Sequence, residues 1–113
     1  MLWSGLFPST QLYADGLMEA TSVEQTSVFA AAREFARTEG TLPAPESSHA
    51  IRVAIDEAIK CRESGEAKTI VFGLTGTGYF DMLAYQKFND GEMSDYIPTD
   101  AELEKSLSKL PNV

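Results

Sequence analysis

The sequence is poor in the residues that build covalent or metal-centred sites: it holds one cysteine, Cys61, and one histidine, His49. A single cysteine excludes an internal disulfide, and this low usage fits a cytoplasmic protein. Within AIDEAIKCRESG, Cys61 reads as a packed or half-exposed thiol rather than a nucleophile. His49 follows Glu46, Ser47 and Ser48, but neighbours at a helix start ordinarily cap backbone donors. With no second metal-type ligand at i+3 or i+4, a zinc site or a catalytic triad has no support, and no metal is expected. Basic residues are also scarce, 9 against 17 acidic, for a formal charge of -8. A net anion is repelled by nucleic acid and by anionic membrane surfaces, so neither is expected as a partner. No apolar run approaches the roughly 18 to 20 residues of a membrane-spanning helix, and MLWSGLFPST lacks the basic start and apolar stretch of a signal peptide.

What remains is a chain of 113 residues, 43% hydrophobic, with room for one domain over residues 1–113. The first twenty residues are broken by Gly5, Pro8 and Gly16 and read as irregular, with one short helix around Ser9 to Ala14. From Thr21 to Thr38, Val28, Ala31, Ala32 and Phe35 recur at helical spacing. Thr21 or Ser22 is the expected cap, with Glu24 or Gln25 closing a capping box, and Gly40 is the stop. Pro43 and Pro45 are read as excluding helix, and a second helix is expected to start at Glu46, Ser47 or Ser48. It presents Ile51, Ala54, Ile55, Ala58 and Ile59 as one stripe and stops at Gly65. Asp56, Glu57, Glu63 and Glu66 alternate with Arg52, Lys60, Arg62 and Lys68, the pattern of a solvated face.

TIVFGL, residues 69–74, is β-branched and aromatic without alternation, which is how a strand buried on both faces reads. A glycine turn follows, then a helix carrying Met82, Leu83, Tyr85 and Phe88, and last a short amphipathic pattern from Asp100 to Leu110 capped by Thr99 or Asp100. The expected class is α/β: a partial three-layer unit of three to four helices around one buried strand. A strand of that kind needs neighbours that the chain does not offer, so completion by oligomerisation or by a missing domain is expected.

The chemically suggestive segment is Gly73-Leu74-Thr75-Gly76-Thr77-Gly78. Glycines after a strand let backbone N–H groups approach an anion, and the next helix adds the positive end of its dipole. The spacing matches neither the dinucleotide fingerprint nor a phosphate-binding loop with its lysine, and a tight turn alone would use glycine equally well.

The ordered pair FARTEGTLPAPESSHAIRVAIDEA and IVFGLTGTGYFDM, preceded by WSGLFPSTQLYADGLMEA, resembles the C-terminal segment of the tryptophan synthase beta chain. It is closer to the stand-alone second type than to the type paired with an alpha chain. The resemblance runs from Met1 to about Glu92. It implies a pyridoxal-phosphate enzyme of fold type II that replaces the hydroxyl of L-serine with indole to give L-tryptophan. It also implies that Thr75 stands where the family's hydroxyl residue faces the cofactor's pyridine nitrogen, in place of the more common serine. Gly76 and Gly78 match glycines that allow close approach. Glu46 matches the glutamate near the cofactor's phenolic oxygen and the reacting amino acid. Thr77 stands where arginine or histidine is more common.

The resemblance also implies what to miss. The family's cofactor-anchoring lysine and its phosphate cup lie upstream of this segment, and none of the five lysines, Lys60, Lys68, Lys87, Lys105 and Lys109, matches that lysine. No catalytic residue is therefore assigned, and neither activity nor cofactor binding is expected of the chain alone. The expected partners are a second copy or the missing N-terminal part of the enzyme. The alternative is a free-standing, non-catalytic interaction module that binds a partner through the strand edge, but the apolar Ile70, Val71 and Phe72 speak against polar remodelling of that edge.

Overall fold

The computed structural model describes residues 7–108. The irregular reading of the first six residues, and the helix end at Lys109 and Leu110, lie outside them. Among the described residues the helices are, in chain order, α1 (Phe7–Ala14), α2 (Gln25–Glu39), α3 (Pro45–Ser64), α4 (Met82–Asn89) and α5 (Asp100–Leu107), with a 3-10 turn, Gly78–Phe80, before α4.

The two long helices carry the packing. α2 turns Val28, Phe29, Ala31 and Ala32 inward, all buried, and its small alanines let α3 come close, with Ile51 only 2% exposed. A fully buried valine or isoleucine contributes about 1.5 to 3 kcal/mol over its exposed state. Both helices stop where a glycine follows: Gly40 at φ 71° and Gly65 at φ 73° take the left-handed conformation that a side chain would strain. α4 closes the core from a third side. The Tyr85 ring meets Phe29 edge to face at 5.0 Å, Phe88 lies 5.8 Å from Phe29, and the Arg33 guanidinium sits 5.2 Å above Phe88.

Helix starts depart from the sequence reading in two places. α2 begins at Gln25 with no cap from its own neighbourhood. Its first-turn donors go instead to the distant segment before α5: the Thr26 N–H and hydroxyl donate to the Asp95 carboxylate at 2.9 and 2.5 Å, and the Gln25 amide donates to the Ser94 carbonyl. An acceptor brought from far along the chain satisfies a helix N-terminus as well as a local one. Pro45, read as excluding helix, is the first residue of α3, where a missing N–H costs nothing and the fixed φ suits the helix. The expected cap at Thr99 is present, with Glu102 completing a capping box.

The expected buried strand is not formed, and the α/β reading is corrected accordingly. Among the described residues the fold is helical, with no strand and one isolated antiparallel bridge, Pro43 to Thr77. Residues 69–74 run between α3 and the 3-10 turn without regular structure. Ile70 and Phe72 are 37% and 38% exposed, Val71 87%. Phe72 meets Phe35 edge to face at 6.0 Å, so one side of the segment rests on α2 while the other is bare. A strand is stabilised by the ladder to its neighbours, and none stands beside this one. The result is a partial fold. Its radius of gyration is 17.0 Å, against about 13 Å for a compact chain of this length.

Candidate functional site

The two motifs picked out in the sequence meet in space. Around the single bridge the Ala44 N–H donates to the Gly76 carbonyl and the Gly78 N–H to the Leu42 carbonyl, both at 3.0 Å, which clamps LPAPESS to TGTG. Packing explains the glycines. A Cβ on Gly78 would stand 2.4 Å from the Pro43 carbonyl oxygen and 2.9 Å from the Tyr85 ring, and one on Gly76 would stand 3.1 Å from the Ala44 Cβ. At Gly78 a side chain would run into backbone, and at Gly76 it would crowd the Ala44 side chain, so close packing alone calls for a small residue at both.

Ser47 is the centre of the junction. It lies in the first turn of α3 and is 2% exposed. Its Oγ accepts from the Thr75 N–H at 3.0 Å and from the Gly76 N–H at 3.1 Å, and sits 2.9 Å from the Thr75 Oγ1. Three amides of the glycine-rich segment are thus bound to protein acceptors: Thr75 and Gly76 to Ser47, and Gly78 to Leu42. A phosphate has no amide grip at these positions. What the junction does present is the Thr75 side chain, exposed, and Glu46, exposed and adjacent in sequence to Ser47.

The clamp is braced from below. Ser48, fully buried, donates to the Ala44 carbonyl at 2.8 Å, and the Tyr85 hydroxyl donates to the Pro43 carbonyl at 2.5 Å. Burial pushes the Tyr85 hydroxyl above its ordinary pKa, the Ser48 hydroxyl beside it acts the other way, and the Asp81 charge adds to the rise. Tyr85 is therefore a fixed donor. No buried side-chain nitrogen or oxygen among the described residues lacks a partner. His49 is exposed, its Nδ1 donating to the Pro45 carbonyl at 3.0 Å. Cys61 is half-buried and free. Among the described residues no group of three His, Cys, Asp or Glu side chains could hold a metal ion. On the face of α3 away from the clamp, Arg52 pairs with Asp56, and Lys60 with Glu57 at 2.6 Å.

Of the four residues singled out in the sequence, the structure thus places Thr75, Gly76 and Gly78 in one clamp and Glu46 at its edge. Two partners escape the sequence reading, in which Ser47 is a helix start and Tyr85 one member of an apolar stripe. The doubled serine of PAPESS, next to a glycine-rich segment that needs an acceptor, is the only available sign.

Tryptophan synthase beta chain 2 of Aquifex aeolicus is 58% identical over 85 residues, which is 75% of this chain and 20% of that protein. This chain is related by descent to a segment of the tryptophan synthase beta chain. The tryptophan synthase beta chain of Thermococcus onnurineus is 44% identical over 97 residues, 85% of this chain and 22% of its own length. Tryptophan synthase beta chain 2 of Pyrococcus furiosus is 37% identical over 110 residues, 96% and 25% respectively. The chain therefore spans about a fifth to a quarter of the tryptophan synthase beta chains it matches. No protein-family model matches it. No helix among the described residues is long and apolar enough to cross a membrane.

Proposed function

We propose that the chain is the C-terminal part of a pyridoxal-phosphate-dependent tryptophan synthase beta-like enzyme, a single domain working in the cytoplasm. It contributes one wall of the cofactor site rather than a complete one. The carrying observation is the junction itself, where the two segments meet and the Thr75 side chain stays exposed beside its contact with Ser47.

The residues fit one edge of the cofactor and not the other. With the amides of Thr75, Gly76 and Gly78 already bound, this segment does not hold the phosphate. An exposed hydroxyl on a braced turn suits the ring nitrogen. When bound, the cofactor withdraws electrons from the α-carbon of serine, so that hydroxide can leave and indole take its place. Thr75 would donate a hydrogen bond to the ring nitrogen, from a turn that Gly76 allows to lie close against Ala44. Gly78 fixes the turn against Pro43. Glu46, exposed in the first turn of α3, would stand near the phenolic oxygen and the reacting amino acid. The lysine and the phosphate grip come from the polypeptide that completes the enzyme.

The exposed apolar side chains support incompleteness. Val71 at 87%, Leu83 at 78% and Phe80 at 93% exposure flank the junction in sequence, where a self-sufficient domain would cover them. They are the face against which the rest of the enzyme packs.

The test is a chimera in which the matched residues of the Aquifex aeolicus protein are replaced by this chain. Tryptophan formation from serine and indole, with loss on Thr75→Val, is the expected result. A chimera that folds and binds pyridoxal phosphate but responds to neither Thr75→Val nor Glu46→Gln would overturn the assignment of these residues.

A further inference from the structure

We infer that Ser47 is a positioning residue that fixes the direction of the Thr75 hydroxyl proton, so that Thr75 meets its ligand as a donor. This rests on the proposed placement of Thr75 at a pyridine nitrogen and adds the residue that makes the placement selective. The hydrogen-bonding capacity of a hydroxyl decides the direction, since it has one proton and accepts about two hydrogen bonds. Ser47 Oγ already accepts from the N–H groups of Thr75 and Gly76, at 3.0 and 3.1 Å. Its remaining capacity is its own proton, and the atom within reach is Thr75 Oγ1 at 2.9 Å. The bond therefore runs from Ser47 to Thr75. Had it run the other way, Ser47 would accept three times and donate nothing.

Thr75 consequently receives a hydrogen bond and keeps its own proton for a group outside the chain. Accepting from Ser47 also polarises the Thr75 O–H and strengthens it as a donor. The group it serves must be an acceptor, which a neutral pyridine nitrogen is and a pyridinium is not. Ser47 has the rigidity that such positioning needs, being 2% exposed and seated in the first turn of α3. It is also held at both ends of the contact, by the main chain and the side chain of Thr75.

Two measurements separate the inference from the reading beneath it. In the full chain, amide hydrogen exchange is followed at Thr75 and Gly76 for the wild type, Ser47→Ala and Ser47→Cys, the last keeping the volume while weakening donor and acceptor. Both variants are expected to exchange about tenfold faster at those two amides, the scale of one lost hydrogen bond. Unchanged exchange would overturn the inference. In the chimera loaded with pyridoxal phosphate labelled at the ring nitrogen, the nitrogen-15 resonance is then compared among the wild type, the Ser47 variants and Thr75→Val. The expected result is that the Ser47 variants move it, in the same sense as Thr75→Val, toward a ring without a donor. If Thr75→Val moves it and the Ser47 variants do not, Ser47 has only a structural role and the inference fails alone. If Thr75→Val leaves it in place, the ring-nitrogen reading fails, and the inference with it.

Discussion

The Tyr85 hydroxyl donates to the Pro43 carbonyl at 2.5 Å, and the ring that carries it closes over Gly78, where a Cβ would lie 2.9 Å from Tyr85 Cε2. One side chain thus ties α4, the PAP turn and the glycine segment into a single unit. Tyr85→Phe keeps the ring contact with Phe29 and removes the donor, leaving a buried carbonyl without its partner. The expected loss is about 1 to 2 kcal/mol, read from the shift of a urea unfolding midpoint.

Gly78→Ala and Gly76→Ala separate close packing from glycine's flexibility. At Gly78 the new methyl meets backbone, the Pro43 oxygen at 2.4 Å, which has no room to yield; at Gly76 it meets the Ala44 Cβ at 3.1 Å. Gly78→Ala is expected to cost about 2 to 3 kcal/mol and Gly76→Ala less than about 1.5 kcal/mol. Equal costs in chemical denaturation would contradict the clamp geometry.

Acid is expected to loosen the segment after α4 before the core. The Tyr96 hydroxyl, together with the Thr99 N–H and hydroxyl, holds the Glu102 carboxyl at about 2 against an ordinary 4.5. The Thr26 hydroxyl and N–H hold Asp95 below its ordinary 3.8. A depressed carboxylate stabilises the fold above its unfolded pKa and loses that effect as the pH falls through the folded one. The α5 cap is therefore intact above the ordinary 4.5 of Glu102 and fades toward about 2, and the Asp95 anchor on α2 fades below 3.8. Tyr96 has the opposite sign: its pKa is raised above the ordinary 10.0 by Glu102, so its contribution is complete below that value and is lost at higher pH. Amide shifts of Thr26 and Thr99 across a pH titration check both ends.

Val71→Asp distinguishes an incomplete wall from a finished domain. At 87% exposure the substitution is expected to change the stability of the isolated chain by no more than about 0.5 kcal/mol. In the chimera it buries a charge against the rest of the enzyme and is expected to abolish cofactor binding. Tolerance in both settings would show that this face is not an interface.

The helices are legible in the sequence because their apolar residues recur at a period that only a helix turns to one side, as with Val28, Ala31, Ala32 and Phe35. Their starts are less so. The acceptor for Thr26 is 69 residues away, beyond any local pattern, and Pro45 breaks a helix only inside it, not at its first position. TIVFGL misleads because an unbroken apolar run reports burial on both faces. That burial depends on neighbouring strands, and residues 69–74 have none. In the candidate site, the glycine-rich segment holding Thr75, Gly76 and Gly78 stands out in the sequence by itself, but the roles expected of these residues and of Glu46 come only through the resemblance. Ser47 stays hidden because its partner Thr75 lies 28 residues on, and no rule of spacing joins the two.

The central claim, that this chain is one wall of a larger pyridoxal-phosphate site, is tested most directly by light-scattering mass after gel filtration of the isolated chain, with and without the cofactor, while cofactor absorbance is recorded. The account predicts a dimer or larger species, held through the exposed face at Val71 and Phe80, with no bound cofactor. A clean monomer that retains one equivalent of pyridoxal phosphate would contradict it.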